Sequence, residues 1–262
     1  MPKNNLNKHI IIFTDLDGTL LDHDSYSFDE ASVMLDFIKT EEIPLIIVTS
    51  KTKKEVVRIQ KLLGIRGPFI IENGAGVFIP DDDGYETIAL GSDYQEIRRA
   101  FVTYAQEIGM LGFFDMSVEE VSNYTNLSVE QAADAKERTF TEPFVLEDEN
   151  ALEALRKMAN GDGLDVVKGG RFYHLITKGQ DKAAAIAYLI KYYEKASGAS
   201  YKTVALGDSA NDLTMLESVD TPILIPHPDG SYMPCAISNL IKAPLPGPSG
   251  WNAALKDYFD VQ

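Results

Sequence analysis

The chain has 262 residues, 45% hydrophobic and 24% charged, which is ordinary for a globular protein of one or two domains. Its net charge of −16 argues against a nucleic-acid-binding protein, because such proteins usually present a basic face. No apolar stretch approaches the roughly 20 residues that cross a bilayer, and the apolar run before Asp15 is too short for a signal peptide. The single cysteine, Cys235, excludes an intramolecular disulfide and fits a reducing compartment. We therefore expect a cytoplasmic protein that binds neither nucleic acid nor membrane, while its oligomeric state stays open.

The first part of the chain alternates predicted strands and helices. Short runs rich in β-branched residues indicate strands, and apolar residues three or four positions apart indicate helices. In chain order the predicted elements are a strand at Ile10–Thr14, a helix at 29–40, a strand at 43–49, a helix at Lys53–Leu63, a strand at Phe69–Ile71 and a hairpin beginning at Gly76–Pro80. This order predicts a parallel sheet with helices on both faces.

The middle of the chain has a different pattern, with helices predicted at 93–108 and 129–138 and strands at 144–146 and Leu164–Lys168. The last part alternates again, with a helix at 181–195, a strand at 202–206, a short helix at 212–218, a strand at 222–225 and a tail rich in proline and glycine. We therefore predict the α/β class. Residues 1–86 and 175–262 form a doubly wound, mainly parallel sheet, and residues 87–174 form an α+β domain inserted into it.

Paired acids follow two of the predicted strands. Asp15 and Asp17 leave the first strand on the same face, and two carboxylates so close raise each other's pKa unless a cation lies between them. An ordinary Asp-Gly turn is the alternative explanation. Asp208 ends another strand, and Asp212 follows one helical turn later. Because ligands bind at the carboxyl ends of strands in such sheets, the four acids predict a metal site, and hard oxygen ligands favour Mg²⁺.

Hydroxyl and amino groups near the same edge could bind a phosphate. Thr49 and Ser50 lie between a strand and a helix, where hydroxyls and free N–H groups can hold a phosphoryl oxygen, although an ordinary helix cap is the alternative. Lys182 opens a helix, where a cation is unfavourable for the helix dipole, so a ligand would explain it; Lys178 is the competing lysine. Asn73 follows the third strand, and we expect it to be a substrate-binding residue that shapes the pocket, although a simple turn of the chain is the alternative.

The order of these motifs resembles the haloacid dehalogenase (HAD) phosphatase superfamily. The motifs are Asp15-Leu16-Asp17-Gly18-Thr19, then Thr49 or Ser50, then Lys182, and then the string from Gly207 to Asp212. They span nearly the whole predicted core. The insertion after the third strand resembles the branch with a large α+β cap, the type IIB cap of sugar-phosphatase-like members, on a HAD-like Rossmannoid core.

This resemblance implies Mg²⁺-dependent hydrolysis of a phosphomonoester through an aspartyl-phosphate. It makes Asp15 the nucleophile, and Asp17 the general acid and base that also ligates Mg²⁺ through its main-chain carbonyl. It makes Asp208 a direct metal ligand and gives Asp212, with Asn211, the task of holding that ligand or metal-bound water. Lys182 and Thr49 stabilise the phosphoryl oxygens, with Ser50 contributing its backbone N–H.

Three longer strings resemble the mannosyl-3-phosphoglycerate phosphatases. They run from 137 to 144, from 169 to 175 and from 247 to 252, and the first two lie in the predicted insertion. The resemblance implies a small phosphosugar substrate contacted by four residues, namely Arg138, Glu142, Arg171 and His174. Packing or surface roles for these residues are the alternative. The competing functions are a broad sugar-phosphate or glucosyl-3-phosphoglycerate phosphatase, a sugar phosphomutase and a non-catalytic phosphosugar-binding protein.

Overall fold

The computed structural model describes residues 9–169 and 171–261, so residues 1–8, Gly170 and Gln262 lie outside the described residues. The first strands are β1 (Ile10–Thr14), β2 (Leu45–Val48), β3 (Phe69–Ile71), β4 (Gly76–Pro80) and β5 (Tyr85–Ala89). The helices between them are α1 (Ser32–Thr40), which follows one 3-10 turn at Asp29–Ala31, and α2 (Lys53–Leu63). The strand expected at 43–49 and the helix expected at 29–40 are present with shorter bounds.

The rest of the chain adds seven helices and seven strands to the described structure. In chain order they are α3 (Tyr94–Tyr104), β6 (Met110–Gly112), α4 (Val118–Thr125), α5 (Val129–Lys136), β7 (Glu142–Leu146), α6 (Leu152–Gly161), β8 (Leu164–Lys168), β9 (Tyr173–Thr177), α7 (Lys182–Ser197), β10 (Lys202–Gly207), α8 (Leu213–Glu217), β11 (Thr221–Leu224), β12 (Ile241–Lys242) and α9 (Gly247–Phe259). None of the described helices is long and apolar enough to cross a membrane.

Eight strands form the larger sheet, in the order β12-β11-β10-β1-β2-β3-β4-β5. The pairs from β12 to β3 are parallel, and β4 and β5 are antiparallel. Successive side chains of β1 enter different apolar clusters, with Ile12 on one face of the sheet and Phe13 on the other. Both faces are therefore covered, as in a doubly wound sheet. The predicted fold class is confirmed.

The register of the central strands places the ends of β1, β2 and β10 at one edge of the sheet. Thr14, the last residue of β1, lies opposite Leu206 on one side and Ile47 on the other. The residues that follow these strands therefore emerge side by side. This edge is where the candidate site lies.

The smaller sheet is antiparallel, with strand order β6-β7-β9-β8. It crosses one of the predicted domain boundaries, since β9 belongs to it and extends beyond residue 174. The other boundary also falls inside a strand, because β5 pairs with β4 in the larger sheet and extends beyond residue 86. We propose that the insertion runs from about residue 90 to residue 177, between the ends of these two strands.

The C-terminal tail, which carried no predicted element, forms α9. Proline is tolerated in the first turn of a helix because the N–H groups there have no partner within the helix. Pro248 occupies such a position, and the helix then buries Trp251, whose indole N–H donates to Thr14 Oγ1 over 3.1 Å. The proline and glycine content hid a helix that packs against the central strand.

Candidate active site

Three carboxylates meet at the edge formed by β1 and β10. One oxygen from each of Asp15, Asp208 and Asp212 lies within 4.8 Å of the others. The Asp15 N–H donates to Leu206 O over 2.9 Å, which fixes the first acid beside the strand that delivers the second. Gly18 has a positive φ of 78°, and a Cβ there would lie 2.6 Å from an Asp208 oxygen, so the turn after β1 passes too close for a side chain.

The crowding of these acids changes their protonation. Burial and the charge of Asp212 raise the pKa of Asp15 to about 7, although Lys182 opposes the shift. Burial, Asp212 and Asp15 raise the pKa of Asp208 to about 8. A divalent cation among the three would relieve this repulsion, and hard carboxylate oxygens suit Mg²⁺. The residues present therefore fit the predicted metal.

Asp212 does more than complete the cluster. It is fully buried, and its Oδ2 accepts the N–H groups of Asp208 at 3.1 Å and Ser209 at 3.0 Å. Its Oδ1 accepts a 2.6 Å bond from Lys182. Asp212 thus shapes the loop that carries Asp208, which agrees with the predicted task of holding that ligand.

Lys182 is buried at the N-terminus of α7 and points into the site. Its ammonium donates to Asp15 Oδ1 at 2.8 Å, Asp212 Oδ1 at 2.6 Å and Val48 O at 3.0 Å. Burial alone would lower its pKa, but the two carboxylates raise it above the ordinary lysine value. Lys178, the competing lysine, is exposed. The structure therefore brings Lys182 to the acids.

Asp17 is half-buried and lies beside the cluster rather than in it. Lys51 approaches its Oδ2 to 2.9 Å, while its Oδ1 is buried and accepts no hydrogen bond from the described residues. The three-carboxylate set within the described residues does not include the Asp17 side chain. The Asp17 carboxylate therefore lies outside the three-carboxylate cluster, and a metal contact through its main-chain carbonyl stays a prediction.

Lys51 is a site residue that the sequence analysis missed. Its ammonium lies 2.9 Å from Asp17 and 3.7 Å from Glu55, and 5.3 Å from the ring centre of Tyr26. Burial alone would lower its pKa, but Asp17 and Glu55 raise it above the ordinary value. Thr52 caps α2 and Glu55 completes its capping box, so Lys51 is a cation just before a helix N-terminus. The same dipole argument that selected Lys182 applied to Lys51.

The two hydroxyl residues after β2 have different environments. Thr49 is 1% exposed, and its Oγ1 accepts the Lys51 N–H over 3.3 Å. Ser50 lines the open cavity above the acids, and its carbonyl accepts from Arg138. The sequence favoured the Thr49 hydroxyl for phosphate binding, whereas the cavity position of Ser50 favours the Ser50 hydroxyl.

Asn73 connects two loops of the site through hydrogen bonds. It is 4% exposed and has a left-handed backbone with φ of 59°. Its Oδ1 accepts from Asn211 Nδ2 over 3.1 Å, and its N–H donates to Thr49 O over 3.0 Å. Asn73 thus joins the loop of Asp208 to the loop after β2, whereas Asn211 lines the cavity.

A cavity open to solvent lies between the acids and the insertion. Four of the predicted substrate-binding residues line it, namely Ser50, Arg138, Arg171 and His174. Burial and the charge of Arg138 lower the pKa of His174 to about 3, so this ring is neutral at pH 7, and its buried Nδ1 has no hydrogen-bond partner among the described residues. His174 can therefore form a hydrogen bond to a ligand as an uncharged ring.

Glu142, like Asn73, is a predicted substrate-binding residue that does not line the cavity. Adjacent residues of a strand point to opposite faces, and Pro143 and His174 are paired on the cavity face of the smaller sheet. Glu142 is fully buried on the other face and accepts from the hydroxyl of Tyr94 and the N–H of Phe114. The predicted contact between Glu142 and the substrate is therefore contradicted by its position.

Comparison with known proteins gives relatives across nearly the whole chain. A family model described as haloacid dehalogenase-like hydrolase matches residues 12–225. A Persephonella marina protein named glucosyl-3-phosphoglycerate/mannosyl-3-phosphoglycerate phosphatase is 49% identical over 257 residues, which cover 94% of this chain and 96% of that protein. A Methanococcoides burtonii protein of the same name is 42% identical over 266 residues, which cover 95% and 97%. A solved structure described as a HAD subclass IIB sugar phosphatase has a TM-score of 0.69 at 16% identity, covering 96% of this chain and 99% of that one, so it is similar in fold.

Proposed function

The chain belongs to the haloacid dehalogenase-like hydrolase family, and from that membership we propose that it is a Mg²⁺-dependent phosphatase converting mannosyl-3-phosphoglycerate to mannosylglycerate. The supporting observation is the contact of buried Lys182 with Asp15 and Asp212 beside Asp208, at the floor of a cavity whose far wall is the insertion. The two relatives described above carry this substrate in their names.

Asp15 is the nucleophile in this proposal. Its carboxylate attacks phosphorus, the bond from phosphorus to the ester oxygen breaks, and water then hydrolyses the aspartyl-phosphate to inorganic phosphate. Lys182 supplies positive charge to the phosphoryl oxygens, and the hydroxyl of Thr49 or Ser50 donates to them. Asp15, Asp208 and the Asp17 carbonyl would hold Mg²⁺, which when bound lowers the repulsion between the attacking carboxylate and the phosphoryl group.

Asp17 carries the proton in both steps. It protonates the departing ester oxygen and then accepts a proton from the attacking water. Lys51 supports this role, because its 2.9 Å contact holds one carboxylate oxygen while the other is free of partners among the described residues.

The part of the substrate beyond the phosphate lies against the insertion. Arg138, Arg171 and neutral His174 line the cavity there and suit the charge and hydroxyl groups of a glycosylated glycerate. Glucosyl-3-phosphoglycerate is the second candidate substrate, because the names of both relatives include it.

The test is phosphate release from a panel of phosphosugars with and without Mg²⁺. We expect strong preference for mannosyl- or glucosyl-3-phosphoglycerate over hexose phosphates, and loss of activity after Mg²⁺ removal. Asp15→Asn should lower kcat by roughly 10³- to 10⁶-fold, on the scale of other removed nucleophiles. Near wild-type activity of that variant would refute the nucleophile assignment. Equal rates on all phosphosugars would indicate a broad phosphatase, and binding without turnover a non-catalytic protein.

A further inference from the structure

Glu72 is a fully buried carboxylate of the larger domain that binds the insertion through hydrogen bonds. It follows β3, and its oxygens accept the N–H groups of Thr139 at 2.8 Å, Phe140 at 3.1 Å and Thr141 at 2.8 Å. The Thr141 hydroxyl adds a fourth bond at 2.9 Å. Three successive N–H groups directed at one carboxylate form a complete anion cradle, so Glu72 is held by the insertion through main-chain donors.

The same short segment of the insertion also carries an apolar anchor. Phe140 is 5% exposed, and its ring belongs to the apolar cluster of the larger domain, together with Ala75 and Phe78. A Cβ on Gly76 would lie 2.6 Å from this ring, so glycine makes room for it. Residues 139–141 are therefore fixed by polar bonds and by burial at one point.

Arg138 transmits the position of this segment to the cavity. Its Nε lies 3.4 Å from a Glu72 oxygen, and its Nη2 donates to Ser50 O over 3.0 Å and to Thr141 Oγ1 over 2.6 Å. The guanidinium thus spans Glu72 and the loop after β2. Arg138 also lines the cavity, so its position there depends on the bonds that Glu72 makes to residues 138–141.

The two chain crossings between the domains approach the same segment, 72–75. Ala75 O accepts the N–H groups of Leu90 at 2.7 Å and Gly91 at 3.0 Å on the first crossing. Gln180 Nε2 donates to Glu72 O over 2.8 Å on the second. The bonds from Glu72 to residues 139–141 form a non-covalent connection close to these two crossings, so a rotation of the insertion about the crossings would break them.

We propose that Glu72 is a positioning residue. Through residues 138–141 it holds the insertion at the distance from the loop after β2 that the substrate requires. This inference rests on the proposed function, because it assigns substrate recognition beyond the phosphate to the insertion. Glu72 acts through Arg138 and does not itself line the cavity among the described residues.

The test compares two substrates and two variants. Glu72→Gln keeps the size of the side chain but turns a donor toward the three N–H groups. We expect kcat/KM for mannosyl-3-phosphoglycerate to fall by about tenfold to a hundredfold, mostly through KM, because small displacements of binding groups have effects of this size. Hydrolysis of p-nitrophenyl phosphate, whose ring needs no sugar contacts, should change by less than about threefold. Thr141→Val removes one of the four bonds to Glu72 and the bond from Arg138 to the same hydroxyl, while the three N–H bonds to Glu72 remain. It should act in the same direction as Glu72→Gln, which keeps the test open if Glu72→Gln does not fold.

Ile38→Ala is the matched control, since Ile38 is a buried residue of α1 in the same apolar cluster. It should lower the melting temperature without changing the ratio of the two activities. Hydrogen exchange gives a readout independent of substrate: the amides of 139–141 should exchange faster in Glu72→Gln while those of β1 stay protected. Equal loss on both substrates, or unchanged exchange at 139–141, overturns the inference. If the wild type shows no preference for the phosphosugar, the substrate assignment fails, and the exchange measurement still decides the role of Glu72.

Discussion

Lys51 contacts both Asp17 and Glu55, and its replacement separates proton transfer from phosphoryl transfer. Lys51→Met should lower kcat/KM on phosphosugars by about tenfold to a hundredfold, because Asp17 loses the partner that orients it. The loss in kcat/KM on p-nitrophenyl phosphate should be much smaller, because kcat/KM covers the steps up to departure of the leaving group and p-nitrophenolate leaves without protonation. Steady-state kinetics on both esters measure the difference. Lys53→Met, a nearby lysine whose ammonium lies 4.8 Å from the ring centre of Phe78, is the control. Equal losses on both esters would contradict the role.

His174 makes stability depend on pH. Burial lowers its pKa to about 3 in the folded chain, below the ordinary value of 6.5. Between these values the unfolded chain binds the extra proton, so the contribution is fully present above pH 6.5 and is lost as pH falls toward 3. Relative to His174→Asn, the wild type should lose about 2 kcal/mol of unfolding free energy between pH 7 and pH 5. Denaturant unfolding at both pH values measures it, and a constant difference would show that the ring titrates normally.

At the scale of helices and strands, local signals predicted the elements whose ends are locally determined. Strand β1 is an unbroken apolar run, and α2 has its Thr52 cap, its Glu55 box and a left-handed Gly64 at its end. Both have the predicted bounds. Helix α9 was missed because its stability comes from burying Trp251 against another part of the chain, which no local pattern of proline and glycine reveals.

The site follows the same division. Acids and lysines that follow strands could be predicted, because parallel strands bring their ends to one edge. The sequence did not show which face of β7 points toward the cavity. Glu142 was therefore expected at the cavity, whereas its neighbour Pro143 lines it. The hydrogen bonds between Glu72 and residues 139–141 could not be predicted from the sequence either, because their donors are main-chain N–H groups, which nearly every residue has.

At the scale of the whole molecule, a net charge of −16 coexists with a site for an anionic substrate. Positive side chains are concentrated at the cavity: Lys51, Arg138 and Arg171 line it, and Lys182 contacts the acids at its floor. The acidic groups on the rest of the surface repel anions. The acids of the site itself add repulsion that a cation would remove.

Mg²⁺ should therefore stabilise the folded chain in a pH-dependent way. Because the pKa values of Asp15 and Asp208 are raised, the metal-free folded chain binds more protons than the unfolded chain and loses stability as pH rises toward 8. Saturating Mg²⁺ should raise the melting temperature by at least about 3 °C at pH 8.5 and by less at pH 6, where protons compete. Thermal scans measure both shifts.

Asp208→Asn is the control for that measurement. It removes a ligand and one negative charge, so the metal-free variant should melt higher than the metal-free wild type at pH 8.5 and respond little to Mg²⁺. A Mg²⁺ response equal to that of the wild type would place the ion elsewhere.

One main-chain acceptor binds two of the side chains that line the cavity. The carbonyl of Thr125, at the end of α4, accepts the hydroxyl of Tyr26 at 2.9 Å and Nη1 of Arg171 at 2.7 Å. No substitution at position 125 that preserves the helix end deletes this acceptor, since every amino acid supplies a carbonyl. During divergence of such enzymes, this connection can therefore be lost only through its donors, one in the loop after β1 and one in the insertion, and each can be replaced while the other keeps its bond.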